Sequence, residues 1–253
     1  MIRIENLSKR FGAFTALNNL NLEVRPGEVF GFLGPNGAGK TTTMKIMVGL
    51  MRPSAGRVLI NGIDVGRDPI AARRLIGYIP DHSFLYEKLT AREFLAFVAG
   101  LYDYEPAEGV SRADQWLKLF DLSDWADELI ESYSLGMKQR LAMAAALLHR
   151  PKVLIVDEPM VGLDPQGAVL VKALFRKLCQ TGQQTVFLST HLLEVAEDLC
   201  DRVAILHRGQ VVAQGSIEAI RTQVGATGAR LEDLFLQLTG ALDVEAAVKT
   251  FQP

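Results

Sequence analysis

The chain has 253 residues, 49% of them hydrophobic, and its 27 Lys and Arg against 29 Asp and Glu leave a formal net charge of −2. That is enough apolar content for one domain, or a domain with a subdomain, and the charge balance excludes a chain-wide basic surface of the kind that grips nucleic acid; a local patch stays compatible with it. The longest apolar run, Leu141 to Leu148, is far short of the roughly 20 residues that cross a bilayer, and the N-terminus lacks the apolar core of a signal peptide. Cys179 and Cys200 form no close-spaced metal or redox motif, which predicts reduced structural thiols and a cytoplasmic setting.

In chain order, Ile2 to Leu7, Leu20 to Val24, Val29 to Leu33 and Val58 to Ile60 read as strands, with turns at Pro26-Gly27 and Asn61-Gly62. Met44, Met47, Val48 and Met51 repeat at helical spacing, and Ile76 to Ile79 reads as a further strand. From Thr90 to about Arg150 the pattern turns helical: Glu93, Phe94, Phe97 and Leu101 fit one helix, Trp116, Leu117 and Phe120 a second, and Leu141 to Leu148 a buried third. Strand–helix alternation then returns. Val153 to Val156 and Thr185 to Leu188 are apolar strands separated by a helix from Gln166 to Cys179. Arg208-Gly209 joins Val203–Leu206 to Val211–Ala213 as a hairpin, and Leu231, Leu234, Phe235 and Leu238 mark a late helix. Alternation of this kind predicts an α/β core with a largely parallel sheet covered on both faces, interrupted by a helical insertion.

The most specific stretch is Gly34-Pro35-Asn36-Gly37-Ala38-Gly39-Lys40-Thr41, followed by Thr42. It matches the phosphate-binding pattern G-x-x-x-x-G-K-[ST] and lies between a buried strand and a helix. That setting aims backbone N–H groups and a positive helix end at one point. Lys40 supplies a mobile cation for the outer phosphates, and the Thr41 hydroxyl suits a magnesium ligand. Val153 to Val156 runs into Asp157-Glu158-Pro159, two carboxylates beyond the C-terminal end of a strand, where parallel sheets bind ligands. With this strand beside the glycine loop, Asp157 would reach the magnesium shell and Glu158 would face the γ-phosphate, where a carboxylate can polarise an attacking water as general base. His191 follows another strand end, Leu188-Ser189-Thr190, where an imidazole can bond a γ-phosphate or position the water.

These pieces, in this order, resemble the nucleotide-binding subunit of an ATP-binding-cassette (ABC) transporter over at least Ile2 to Ile220. Walker A is Gly34 to Thr41, and Walker B is Val153 to Asp157. Tyr133-Ser134-Leu135-Gly136-Met137-Lys138-Gln139-Arg140 resembles the family signature, Gly162-Leu163-Asp164-Pro165 its D-loop, and Ser189-Thr190-His191 its switch histidine. Phe11 sits where the family places a ring against adenine, and no N-K-x-D guanine-recognition element is present.

The resemblance implies a P-loop NTPase (RecA-like) core with an N-terminal antiparallel β subdomain and a helical insertion. The implied core spans about 1–84 and 151–222, the helical subdomain about 85–150, and a short C-terminal helical extension about 223–253. It further implies ATP and Mg²⁺ as cofactors, with Glu158, His191 and Lys40 catalytic and Phe11, Gly34 to Thr42, Ser134 and Gly136 holding ATP. Thr41, Asp157 and Asp81 are the implied metal-side residues, and Asp164 the implied dimer-communication residue. Two chains would stack head to tail, each closing its signature over the other's ATP.

Two features depart from the common family pattern. Asp81 stands where glutamine is usual after Ile79-Pro80, and Leu135 and Met137 replace a glycine and a glutamine in the signature. Both variations, with Leu231 to Gly240, are similar to single-cassette ATPases of ABC-2-type export systems. A separate integral membrane permease is then the implied partner, its cytoplasmic helix meeting Phe84-Leu85-Tyr86 and parts of Thr90 to Leu101 at the cytoplasmic face of the plasma (inner) membrane. A homodimer, or pairing with a paralogous ATPase, is implied across ATP, and no nucleic acid is expected. The alternatives are an ATPase subunit regulating a non-transport membrane complex and a soluble ABC-type ATPase.

Overall fold

The computed structural model describes residues 1–82, 84–226 and 228–240. Within these, the strands form two sheets. The first is antiparallel, built from β1 (Ile2–Phe11), β2 (Phe14–Val24), β4 (Ala55–Ile60) and β5 (Ile63–Asp64) in the order β2-β1-β4-β5. The second contains β3 (Val29–Leu33), β6 (Ile76–Ile79), β7 (Val153–Asp157), β8 (Thr185–Thr190), β9 (Arg202–His207) and β10 (Gln210–Gly215). Its order is β10-β9-β3-β8-β7-β6, parallel throughout except for the β9–β10 hairpin at one edge.

The helices are α1 (Lys40–Met47), α2 (Pro69–Arg74), α3 (Ala91–Leu101), α4 (Pro106–Leu119), α5 (Leu135–Leu147), α6 (Pro165–Gln180), α7 (Leu193–Leu199), α8 (Ile217–Val224) and α9 (Leu231–Thr239). None of the described helices is long and apolar enough to cross a membrane.

Strand alternation divides the core. Leu154 and Val156 of β7 face one cluster with Val186, Leu188 and the apolar sides of α3, α5 and α6, while Val153 and Ile155 face a second with Phe30, Phe32, Phe187 and α1. This is the period-2 geometry of a strand buried on both faces. Phe30 and Phe187 stack across β3 and β8 with ring centroids 5.8 Å apart. The helical segment from α3 to α5 belongs to the first cluster, so its apolar core is continuous with that of the parallel sheet. The expected burial of α5 on all sides holds for Leu141, Met143, Ala144 and Leu147. Cys179 and Cys200 are free, and burial pushes the Cys179 thiol up to about 11.

Several elements depart from the sequence reading. Strand β1 continues past Leu7 to Phe11, and β2 begins at Phe14 rather than near Leu20. Irregular register between Ile4 and Arg10, with left-handed Asn6 and Asn19, breaks the alternation that would have revealed the longer strands. Met51 lies outside α1, because the chain leaves the helix at Val48 and Gly49 takes φ 71°. Helices α2, α7 and α8 have six, seven and eight residues, too few for a repeating apolar face to stand out. The late helix is α9, with Leu231 and Leu234 fully buried and Phe235 and Leu238 packed beside them. The part of the expected C-terminal extension after Gly240 lies outside the described residues.

Candidate functional site

The C-terminal end of β3 feeds the glycine loop directly into α1. Gly39 takes φ 111°, and a Cβ there would lie 2.6 Å from Leu17 Cδ2 and 2.9 Å from the Ala16 carbonyl, so glycine alone fits. Phe11, Asn36, Gly37, Gly39, Lys40, Thr41 and Thr42 converge on one pocket of about 260 Å³. Gly34, Pro35 and Ala38 do not line it. Ala38 is buried in the core beneath the loop, and its N–H goes to the Pro35 carbonyl at 3.1 Å.

Lys40 is only 8% exposed, and its ammonium donates to the carbonyls of Gly34 (2.6 Å) and Pro35 (3.3 Å). Burial lowers its pKa from the ordinary lysine value, and the nearby Glu158 and Asp157 carboxylates partly oppose that. A cation held by neutral carbonyls beside an open pocket is ready to turn toward phosphate oxygens.

Strands β7 and β8 place the acidic residues. Their parallel register sets Asp157 opposite Ser189. The buried Asp157 carboxylate accepts from the Ser189 hydroxyl on one oxygen and from the Thr41 hydroxyl at 3.0 Å on the other. Hydroxyl and carboxylate oxygens brought together in this way fit a hard divalent cation such as Mg²⁺. Glu158, the next residue, adopts φ 52°, a left-handed conformation uncommon for glutamate. Its N–H is held by the Ser189 carbonyl at 3.1 Å. The Glu158 carboxylate accepts from the Thr190 hydroxyl (3.1 Å) and the His191 N–H (3.1 Å), and lies 2.8 Å from His191 Nδ1. Lys40, Thr41, Asp157, Glu158 and His191, expected from three separate sequence segments, thus meet at adjacent strand ends.

The other expected residues lie apart. Ser134 caps α5, accepting from Met137 N–H at 3.3 Å, and neither Ser134 nor Gly136 lines the glycine-loop pocket. Gly136 instead abuts the 160s loop: a Cβ on it would lie 2.7 Å from the Gly162 carbonyl oxygen. Asp164 caps α6, its carboxylate accepting from Gly167 N–H at 2.7 Å. Asp81 accepts from the His82 N–H at 2.8 Å and makes no hydrogen bond to Thr41 or Asp157 among the described residues. It lies close enough to Tyr78 to help raise that phenol to about 12, behind the larger effects of burial and Asp157.

Sequence reasoning missed three residues of the site. Phe14 lines the glycine-loop pocket opposite Phe11 on the β1–β2 hairpin, and Ser189 and Thr190 hold the two carboxylates. The Phe-Gly-Ala-Phe spacing of a tight hairpin was the available signal for Phe14. The hydroxyls were legible only as neighbours of His191.

A second recess, an apolar groove of about 440 Å³, lies between β6, α3 and α5, with Leu50, Pro80, Phe84, Leu85, Phe94 and Val98 on its walls. Phe84 is 93% exposed. Tyr86, expected in the same surface, meets Phe94 and Phe97 edge-on at 6.1 and 5.6 Å.

Comparison with known proteins agrees with this geometry. The family profile described as ABC transporter matches residues 17–161. The daunorubicin resistance ATP-binding protein DrrA3 of Streptomyces coeruleorubidus is 39% identical over 247 residues, covering 98% of this chain and 77% of that protein. The linearmycin resistance ATP-binding protein LnrL of Bacillus subtilis (strain 168) is 36% identical, covering 94% of this chain and 75% of that protein. A solved ATP-binding subunit of an ABC transporter superposes with a TM-score of 0.89 at 36% identity, covering 94% of this chain and 99% of that one. The cassette MJ0796, solved as a dimer in a post-hydrolysis state with ADP and Pi, gives 0.79 at 29% identity, covering 86% and 99%. With its glycine loop, paired carboxylates and cassette fold together, the chain belongs to the ABC transporter family, as an ATP-binding and ATP-hydrolysing subunit.

Proposed function

We propose that the chain powers export through a separate membrane permease, with ATP held between two cassettes stacked head to tail. One observation carries the dimeric reading: within a single chain, Ser134 and Gly136 stay away from the pocket that gathers the glycine loop. A second chain supplies the missing half. Ser134 then offers its hydroxyl, Gly136 close backbone approach and α5 its positive end to the γ-phosphate bound by the partner. The solved MJ0796 dimer supports this arrangement. ATP becomes part of the interface, and its hydrolysis removes contacts that favour the closed state.

Each residue has a role in this reading. Phe11 stacks on adenine, Gly34 to Thr42 cradle the phosphates, and Lys40 moves from its loop carbonyls to the outer phosphates. Glu158 takes the proton of the attacking water, while His191 orients that water and the γ-phosphate. Thr41 and Asp157 would hold Mg²⁺, which when bound supplies charge neutralisation on the phosphates; Asp81, at a neighbouring strand end, would approach the same shell only by leaving the His82 N–H. Asp164 passes the state of one pocket to the other chain. Residues 85–150 act as a helical subdomain that moves on the core formed by 1–84 and 151–222.

The apolar groove between these two parts takes a cytoplasmic helix of the permease, with Phe84 and Leu85 as its contacts. In this reading the chain works at the cytoplasmic face of the plasma (inner) membrane. The export direction draws on DrrA3 and LnrL, both named for drug resistance. The deciding experiment is capture of the detergent-solubilised complex formed by the Glu158→Gln variant in ATP. Co-purification of a polytopic protein, and substrate movement by the pair in vesicles, is the expected outcome. Recovery of a membrane protein that controls envelope hydrolysis and moves no substrate instead would move the assignment to a non-transport complex.

A further inference from the structure

A second cleft, of about 480 Å³, shares Arg73 with the apolar groove. Four arginines line it from four segments: Arg52 after α1, Arg57 on β4, Arg67 after β5 and Arg73 on α2. Asp64 is the one acid among its described lining residues. Its carboxylate is already engaged by the N–H groups of Gly66 (2.8 Å) and Arg67 (3.3 Å), with the Arg67 guanidinium at 3.8 Å.

The remaining charges are unevenly balanced. Arg57 pairs with Glu5 at 2.7 Å. Arg73 donates only to neutral carbonyls, those of Val48 (3.3 Å) and Gly49 (2.8 Å). The Arg52 side chain has no hydrogen bond or ion pair among the described residues, and the Lys9 ammonium sits on its carbonyl at 2.8 Å. A chain of net charge −2 therefore concentrates a cationic surplus in one concave place. Like charges so grouped repel unless an anion enters between them. Arginine, with its planar fork of donors, suits the oxygens of a phosphate.

Exposed aliphatic residues flank this cleft. Ile70, next to the lining Pro69, is 70% exposed, and Leu50, 64% exposed and shared with the wall of the apolar groove, lies where the two recesses meet. Basic side chains beside exposed aliphatics match the headgroup boundary of an anionic bilayer. An acidic segment of the permease fits less well, because cytoplasmic loops near a membrane carry an excess of Lys and Arg.

We propose that the arginine cleft takes the phosphate of an anionic phospholipid headgroup, with Arg52 and Arg67 as its mobile arms. This inference rests on the permease reading of the neighbouring groove, since Arg73 walls both recesses and places the cleft beside the docked helix. The contact tethers the ATPase to the lipid surface independently of its permease.

The test is flotation of the full chain with phosphatidylglycerol or phosphatidylcholine vesicles. Binding to phosphatidylglycerol alone, weakened by salt, is expected. Each guanidinium near an anionic surface is worth about fivefold in partitioning, so the double variant Arg52→Gln/Arg67→Gln should bind about twenty-five-fold less. Its nucleotide affinity and melting temperature should match the parent's, which separates lost binding from lost folding. Undiminished flotation of the double variant overturns the proposal. Displacement by millimolar inorganic phosphate makes the cleft a soluble-anion site and overturns the lipid assignment. Loss of permease co-purification in detergent, with flotation unchanged, assigns the cleft to a protein partner and overturns it too. Lipid binding by a chain that captures no permease supports the cleft while defeating the permease reading.

Discussion

The carboxylate of Glu158 lies 2.8 Å from Nδ1 of His191, and the same side chain accepts from the Thr190 hydroxyl at 3.1 Å. Two neighbouring strand ends therefore aim one carboxylate and one imidazole at the same place, with the Glu158 backbone held at φ 52° to do so. Glu158→Gln keeps the shape and most of the hydrogen bonds but cannot take a proton. We expect ATP binding to persist while phosphate release falls by about 10²–10⁴-fold. A variant turning over at the parental rate would remove Glu158 from the role of base.

Lys40 is nearly buried and spends its donors on the Gly34 and Pro35 carbonyls. Lys40→Ala removes a charged hydrogen-bond donor from the phosphate pocket, a loss of about 1.5–3 kcal/mol, or on the order of 10–150-fold in ATP affinity. Calorimetric titration with Mg·ATP measures it. Unchanged affinity would refute the phosphate-loop assignment.

Ser134 lies outside the glycine-loop pocket of its own chain. Ser134→Arg in the Glu158→Gln background should therefore leave nucleotide binding by the monomer intact and abolish ATP-dependent dimerisation. Sedimentation velocity with and without ATP distinguishes the two states, and a normal dimer would end the trans-signature reading.

Phe84 projects almost wholly into solvent at the mouth of the apolar groove. A charge there costs the fold little, within about 0.5 kcal/mol. Phe84→Asp should leave ATP hydrolysis by the isolated chain unchanged while releasing the permease. Co-purification that survives the substitution would place the docking surface elsewhere.

His149 lines the same groove and stacks on Tyr102 with ring centroids 3.8 Å apart, while its Nε2 bonds the Ile76 carbonyl at 3.1 Å. Burial lowers its pKa to about 4, against a smaller raising effect of that carbonyl. Because the folded value lies below the unfolded one near 6.5, the unfolded chain binds more protons between them. The contribution is complete above about pH 6.5 and is lost as pH falls toward 4, amounting to about 2 kcal/mol by pH 5. His149→Phe keeps a ring over Tyr102 and removes the titration. Urea unfolding at pH 7 and pH 5 should show a smaller drop for the variant; equal drops would place the acid sensitivity in other groups.

Much of the site was legible because local chemistry dictates it. A strand buried on both faces, a loop where glycine alone fits at position 39, and acids at a strand end leave little freedom, and Lys40, Thr41, Asp157 and Glu158 fall where those constraints put them. What escaped reading is set by long-range packing. The Asp157–Ser189 and Glu158–Thr190 bonds depend on the β7–β8 register, which no local pattern encodes. Short helices such as α7, and the irregular β1–β2 pairing, lack the repeats that periodicity needs. The contact between Gly136 and Gly162 joins segments that look independent in the sequence.

That contact has a mechanical consequence. Gly136 leaves no room for a side chain beside the Gly162 carbonyl, and the Leu135 side chain lies over Gly162, so a tilt of the first turn of α5 would press on the loop that leads back to Glu158. In a pair of stacked chains, a movement of the α5 start toward a neighbour's nucleotide would be felt at the Glu158 loop of the same chain. Each copy would then sense the phosphate held by its partner through the packing of Leu135 and Gly136 on Gly162.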